Sequence, residues 1–175
     1  MKILSILEER WRNTKHPFFI KGDKSLYFKD FLKIDMPNLN GISKGDVVVL
    51  VGDFNSISIL TFFKLIEIGA IVAPLTENSS LNIKEKSRII NADFVIEGLT
   101  VNKLNSQNFS HELIKLLRKK SNPGLIFFST GTTGEPKAIL HDVTLLFERF
   151  KTKRTAFTTI NFLMFDHMGG INTML

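Results

Sequence analysis

The sequence predicts an α/β fold on a mainly parallel sheet. Three observations carry this. Residues 46–51, 71–75, 93–97 and 124–128 are short, mostly apolar runs, the mark of strands covered on both faces. Between them, residues 57–68, 81–91 and 111–120 have helical character, with apolar positions recurring every three or four residues. Strands that alternate with helices build βαβ units, and such strands run parallel.

The elements follow in order. Ile3, Leu4, Ile6, Leu7 and Trp11 recur at helical spacing and predict a short amphipathic helix ending near Asn13, before His16-Pro17. Residues 18–20 and 25–28 flank Gly22-Asp23, which predicts a hairpin. Residues 35–45 hold Pro37, Gly41 and several Asn and Ser, and read as a connecting loop. The first buried strand covers 46–51, residues 52–56 turn the chain, and the helix over 57–68 stops at Gly69. A strand at 71–75, a polar-faced helix at 81–91 and a strand at 93–97 come next. Residues 99–109 read as a polar loop. The helix over 111–120 is broken by Pro123-Gly124, and a buried strand spans 124–128. Further on, 137–140 and 161–165 read as strands, 167–170 as a turn, and 171–175 as the first turn of a helix. A chain ending on an apolar, uncapped half-helix is expected to be part of a longer one.

Composition narrows the function. The 175 residues are 43% hydrophobic and 23% charged, ordinary globular usage that excludes a disordered or low-complexity chain. There is no cysteine, so a thiolate nucleophile, a disulfide framework and a cysteine metal site are excluded. The net charge of +6 is scattered, apart from Lys115, Arg118, Lys119 and Lys120 at a predicted helix end and Arg149, Lys151, Lys153 and Arg154 further on. Both groups read as solvated faces, and no aromatic-plus-basic cluster points to nucleic acid. The longest apolar stretch, residues 57–75, is interrupted by Lys64 and Glu67, so no membrane span is expected. A cytoplasmic location is the matching expectation.

The chemistry lies in Ser129-Thr130-Gly131-Thr132-Thr133-Gly134-Glu135-Pro136-Lys137, directly after a buried strand. Glycines let backbone N–H groups approach an anion closely, successive amides form an anion-binding concavity, and four hydroxyls and a lysine add donors. Such a loop suits a di- or triphosphate. It is not the Walker loop, because Pro136 stands where that motif needs glycine. The histidines offer one candidate. His16, His111 and His141 sit near loop, helix and strand ends with no chemical partner in the sequence, whereas His167 precedes Gly169 and Gly170 at a predicted strand end, where ligands of parallel sheets bind.

With Phe127 and Phe128, this stretch resembles the signature phosphate loop of the adenylate-forming superfamily of acyl-CoA synthetases, peptide-synthetase adenylation domains and luciferases. Gly45-Asp46-Val47-Val48-Val49-Leu50, followed after a helix by Ile68-Gly69-Ala70-Ile71-Val72-Ala73-Pro74-Leu75, is similar to the family's first βαβ unit. Phe165-Asp166-His167-Met168-Gly169-Gly170 is similar to its strand-end Phe-His-x-x-Gly segment, with Asp166 as an intervening departure.

The resemblance implies that residues 1–175 are an incomplete N-terminal AMP-binding domain. Residues 1–44 would be its leading helix, hairpin and loop, 45–128 its βαβ units, 129–137 the phosphate loop, and 138–175 a strand-helix-strand leading to the acyl-pocket wall. It implies a two-step reaction, in which a carboxylic acid is activated by ATP with Mg²⁺ and the acyl group passes to a thiol of coenzyme A or of a carrier protein's phosphopantetheine. Ser129, Thr130, Gly131, Thr132, Thr133, Gly134 and Lys137 would contact the β- and γ-phosphates. His167 would act catalytically beside the acyl substrate, with Gly169 and Gly170 giving it room. The family's adenine segment, Mg²⁺-holding glutamate, ribose aspartate and C-terminal lysine have no counterpart before Leu175, so the chain alone is expected not to form acyl-AMP. The alternative is a non-catalytic phosphate-binding remnant or interaction module.

Overall fold

The computed structural model of the chain describes residues 2–77, 83–105, 110–130, 136–148 and 158–175. Helix α1 (Ile3–Trp11), the hairpin β1 (Phe19–Lys21) and β2 (Lys24–Leu26), and a single turn α2 (Phe28–Phe31) lead in. Then come β3 (Val47–Val51), α3 (Ser56–Ile68), β4 (Ile71–Leu75), α4 (Ile83–Ile89), β5 (Phe94–Glu97), β6 (Thr100–Lys103) and α5 (Glu112–Lys120). The hairpin β7 (Gly124–Thr130) and β8 (Pro136–Asp142), α6 (Val143–Phe147) and α7 (Met168–Met174) complete the order.

Six strands form the main sheet in the order β6-β5-β3-β4-β7-β8. The four inner strands are parallel, and β6 and β8 close the edges antiparallel. The pleat sends alternate residues to opposite faces, and both are covered. Val48, Leu50, Val72, Phe94, Ile96, Leu125 and Phe127 share a cluster with residues of α1, α2, α3, α6 and α7. Val47, Val49, Val51, Ile71, Ala73, Val95 and Ile126 share the other with α4 and α5. Burial on two faces is why these strands are apolar along their buried stretches, with polar residues at their carboxyl ends (Glu97, Ser129, Thr130).

Local signals set the ends of α3. Asn55 caps it, its side chain accepting from Ser58 N–H at 2.9 Å, and Gly69 ends it at φ +91, a left-handed conformation that glycine adopts without strain. The abundant phenylalanine has two packing roles. Phe18 meets Trp11, Phe28 and Phe31 at ring separations of 4.8–5.1 Å. Phe165 meets Phe54 and Phe62 at 5.3 and 6.3 Å.

Four local expectations are corrected. Residues 100–103 are not loop but the edge strand β6, whose polar side chains need only backbone pairing to β5. Phe28 starts the turn α2 rather than ending a strand. His141 lies inside β8 rather than after it, its ring 5.9 Å from Phe127. Residues 161–165 form no strand. Phe162 is 84% exposed and only Phe165 is fully buried, so that segment is held by the Phe165 ring and by a hydrogen bond from Asn161 Nδ2 to Gly170 O at 3.1 Å rather than by a ladder.

One residue limits the ladder inside the sheet. Ile71 N–H donates to Asp46 O and Ala70 O accepts from Gly124 N–H, so odd positions of β4 face β3 and even ones face β7. Pro74 therefore falls where β4 should donate to β7, and it has no N–H. The β4–β7 pairing stops at Val72↔Leu125, while β4 stays paired with β3 along all five residues.

The base of the β7–β8 hairpin is fixed by Asp142. Its carboxylate caps α6, accepting from Thr144 N–H at 2.9 Å and from Asn122 Nδ2 at 2.8 Å. Burial disfavours its charged form, but the hydrogen bonds from Thr144 and Asn122 outweigh this and hold the carboxyl below its ordinary value. Asp142→Ala is expected to lower stability by about 0.5–2 kcal/mol, the usual loss of a cap, as read by urea unfolding. The sign with pH follows from linkage. The unfolded carboxyl takes up its proton first as pH falls, so the contribution is present above about pH 4 and fades below it as the folded carboxyl protonates. The alanine variant should lack that part of the acid loss.

Candidate functional site

The carboxyl ends of β3, β4 and β7 gather the site. Ser129 and Thr130 are the last residues of β7, and Pro136 and Lys137 the first of β8. Ser129 stands opposite Lys137, and Thr130 opposite Pro136. The Gly-rich stretch is thus mounted as the connection of an antiparallel hairpin. Gly131, Thr132, Thr133 and Gly134, with Glu135, lie outside the described residues. Ser129 is half-buried and Lys137 exposed. By the alternation along β7 and β8, both lie on the sheet face of Leu125 and Phe127. Phe165 and α7 pack on that same face.

The second half of the site hangs from β4. Thr76, buried just beyond Leu75, donates from Oγ1 to Asp166 Oδ2 at 3.5 Å. Asp166 Oδ1 lies 2.7 Å from His167 Nδ1. The Asp166 side chain is 13% exposed and the His167 side chain 54%, so the acid sits inside and the imidazole reaches outward. An acceptor at Nδ1 keeps a proton there and leaves Nε2 of the neutral ring as a lone-pair acceptor. Phe165, wedged on Phe54 and Phe62, fixes the segment beneath. Asp166, the departure from the family pattern, is thus the partner that sequence reasoning missed. Its signal was an acid adjoining the candidate histidine.

His167 caps α7 through its backbone, and Gly169 and Gly170 lie inside the first turn of that helix rather than in a turn ahead of it. The structure gives Gly170 a packing reason. A Cβ there would run into the carbonyl oxygen of Met164 and lie 3.0 Å from the Phe54 ring. A Cβ at Gly169 would lie 2.5 Å from Leu163.

β4 and β7 are neighbours, so the two halves stand at the ends of adjacent strands, Thr76 at the level of Ser129 by continuation of the register. Among the described residues, no group of three or more His, Asp or Glu could hold a metal ion, and no helix is long and apolar enough to cross a membrane.

Solved structures share this fold. The N-terminal subdomain of Klebsiella oxytoca NpsA in complex with 3-hydroxybenzoyl-AMSN is similar over 79% of this chain, with TM-score 0.52 and 19% identity. The inhibitor-bound N-terminal domain of Mycobacterium tuberculosis FACL13 gives 0.54 and 14% over the same share. NpsA-ThdA, an artificially fused adenylation-PCP di-domain from Klebsiella oxytoca, gives 0.52 and 19%. The chain has the fold of the N-terminal domain of adenylate-forming enzymes. It spans 39%, 43% and 31% of those three chains, well under half of each. No protein-family model and no curated protein matches the sequence.

Within the adenylate-forming fold, the Asp166–His167 pair makes a separate prediction. Asp166 touches the imidazole at Nδ1 and so sets the orientation of the ring. Asp166→Ala is expected to shift His167 from the Nδ1–H tautomer toward Nε2–H, seen in the ring nitrogen NMR shifts, with the fold retained. An unchanged tautomer would remove Asp166 from that role.

Proposed function

We propose that this chain supplies the polyphosphate loop and one wall of the acyl pocket of an AMP-forming acid–thiol ligase. The observation that carries the reading is the loop sequence Ser129–Lys137 on the β7–β8 hairpin, at the strand end next to the one that holds Asp166 and His167. In the first step a carboxylate oxygen bonds to the α-phosphorus of ATP and the α–β bridging P–O bond breaks, releasing pyrophosphate. In the second, a thiol sulfur bonds to the acyl carbon, the acyl–phosphate bond breaks, AMP leaves, and the thiol proton passes to solvent or a base.

The residues have distinct parts. Ser129 and Thr130 offer hydroxyls, the glycines 131 and 134 offer backbone amides, and Lys137 offers a charge. Donors set in advance stabilise the negative charge that builds on departing pyrophosphate. His167, with Nε2 free to accept, would orient the carboxylic acid or its activated form from the neighbouring strand end. Mg²⁺ commonly binds through one or two carboxylates plus substrate phosphates and keeps several waters. The described residues offer no cluster for it, so it fits here as an ion carried on ATP and shields phosphate charge when bound. The acceptor is coenzyme A or a carrier-protein phosphopantetheine.

Calorimetric titration of the chain with Mg·ATP, pyrophosphate and AMP tests the reading. Saturable binding of the two polyphosphates, with AMP much weaker, is expected. Equal binding of AMP, or no binding of pyrophosphate, would overturn the assignment of the loop. Acid-dependent ATP–pyrophosphate exchange is expected to be absent from residues 1–175 alone.

A further inference from the structure

The fold gathers charge that the sequence leaves scattered. Helices α4 and α5 together hold seven basic residues and two acidic ones, so they carry five of the six net positive charges of the chain. Ile83 of α4 packs on the buried cluster that contains Ile114 and Leu117 of α5, so the two helices cover one sheet face. Phe165 and α7 pack on the other. Two basic segments remote in sequence thus become one basic surface.

That surface mixes cations with aliphatic side chains. Lys84 and Arg88 lie one turn apart on α4, Lys115 and Lys119 one turn apart on α5, and all four are exposed. Glu112 is taken by Lys115, which leaves Glu85 as the other acid of the two helices. Lys84, Arg88 and Lys119 enter no ion pair among the described residues. Among these cations stand Ile89, Leu113 and Leu116, 43–54% exposed. The core takes Ile114 and Leu117 from α5, so Leu113 and Leu116 are turned outward without a packing role.

We propose that the outer surface of α4 and α5 rests on an anionic membrane surface as a peripheral contact. The cations meet the lipid headgroups, and the three aliphatic side chains enter the boundary between headgroups and acyl chains, where they leave water. A nucleic-acid backbone would match the charge but offers nothing to the aliphatic residues. Neither helix supplies an aromatic side chain on which a base could stack. A lipid surface also has no fixed register, which suits cations spread over two helices. The contact does not depend on the ligase reading.

Vesicle flotation is the test, with one set of phosphatidylcholine containing one-third phosphatidylserine and one of phosphatidylcholine alone. Binding to the anionic set and little to the neutral set is expected. It should fall at least about tenfold between about 0.1 and 0.5 M salt, as the screening length shortens. Each cation near an anionic surface contributes about fivefold in affinity, so Lys84→Gln, Arg88→Gln and Lys119→Gln together should weaken binding by about a hundredfold with Tm unchanged. Leu116→Ser should weaken it several-fold and leave the salt dependence as it was, a split that a contact made by charge alone would not give. Equal binding to the two vesicle sets, binding that survives either change, or no binding at all would overturn the proposal. So would tighter binding to a DNA duplex or to polyglutamate at the same salt, because the surface would then belong to a nucleic acid or an acidic protein. A concentration-dependent dimer that excludes the vesicles would overturn it in favour of a second copy. Pyrophosphate titration of the same samples reports on the loop independently.

Discussion

Phe165→Ala is expected to destabilise the chain by about 3–5 kcal/mol, the usual cost of emptying a buried phenylalanine site. The residue is fully buried, and its ring is gripped edge-on by Phe54 from the β3 turn and more distantly by Phe62 from α3. Small domains are stable by only about 5–15 kcal/mol, so this one change removes a large part of the margin. Because residues 161–165 have no ladder, the loss should also release Asp166 and His167 from Thr76. Urea unfolding measures the first effect, and averaging of the His167 ring signals in NMR reports the second. A loss below about 1 kcal/mol would mean that the segment is anchored by something other than this ring.

Lys137→Ala carries the largest expected effect on ligand binding. On the proposed reading its ammonium makes a charge-assisted hydrogen bond to polyphosphate, worth about 1.5–3 kcal/mol. Its loss should therefore weaken Mg·ATP and pyrophosphate by about ten- to a hundredfold. The side chain is exposed and unpaired among the described residues, so the unfolding midpoint should barely move. Lys137→Arg should keep part of the affinity, since it retains charge but changes its geometry. Unchanged pyrophosphate binding in the alanine variant would remove Lys137 from the loop's function.

The inner sheet was legible because burial on both faces writes itself as unbroken apolar runs. Residues 46–51, 71–75, 93–97 and 124–128 needed no tertiary information to be read as strands. Strand β6 was not legible, since Thr100, Asn102 and Lys103 contribute backbone pairing at an edge and have no apolar face to declare it. The opposite error arose at 161–165, where an apolar run suggests a strand. Phe162 and Met164 are exposed, and nothing local distinguishes them from core residues. At the candidate site, the residue types of the hairpin and the histidine were readable. The Thr76–Asp166 contact was not, because it joins positions 90 residues apart, a relation only the sheet order creates. For Gly170 the sequence suggests room for a ligand, and its crowding by Met164 and Phe54 adds a packing reason that only the fold reveals.

Pro74 has a consequence for how the two halves of the site are spaced. Within each half, position is set by directional bonds: the β7–β8 ladder on one side, Thr76–Asp166–His167 on the other. Between the halves, past Val72, no ladder fixes the separation. What remains is side-chain packing, with Phe165 and Phe127 in one buried cluster and Lys86 resting 5.3 Å from the centre of the Phe128 ring. Packing resists compression strongly but is only weakly directional, because its attraction is spread over many small contacts. The span from His167 to Ser129 can thus adjust while the geometry inside each half stays fixed, and a single missing N–H separates those two kinds of constraint.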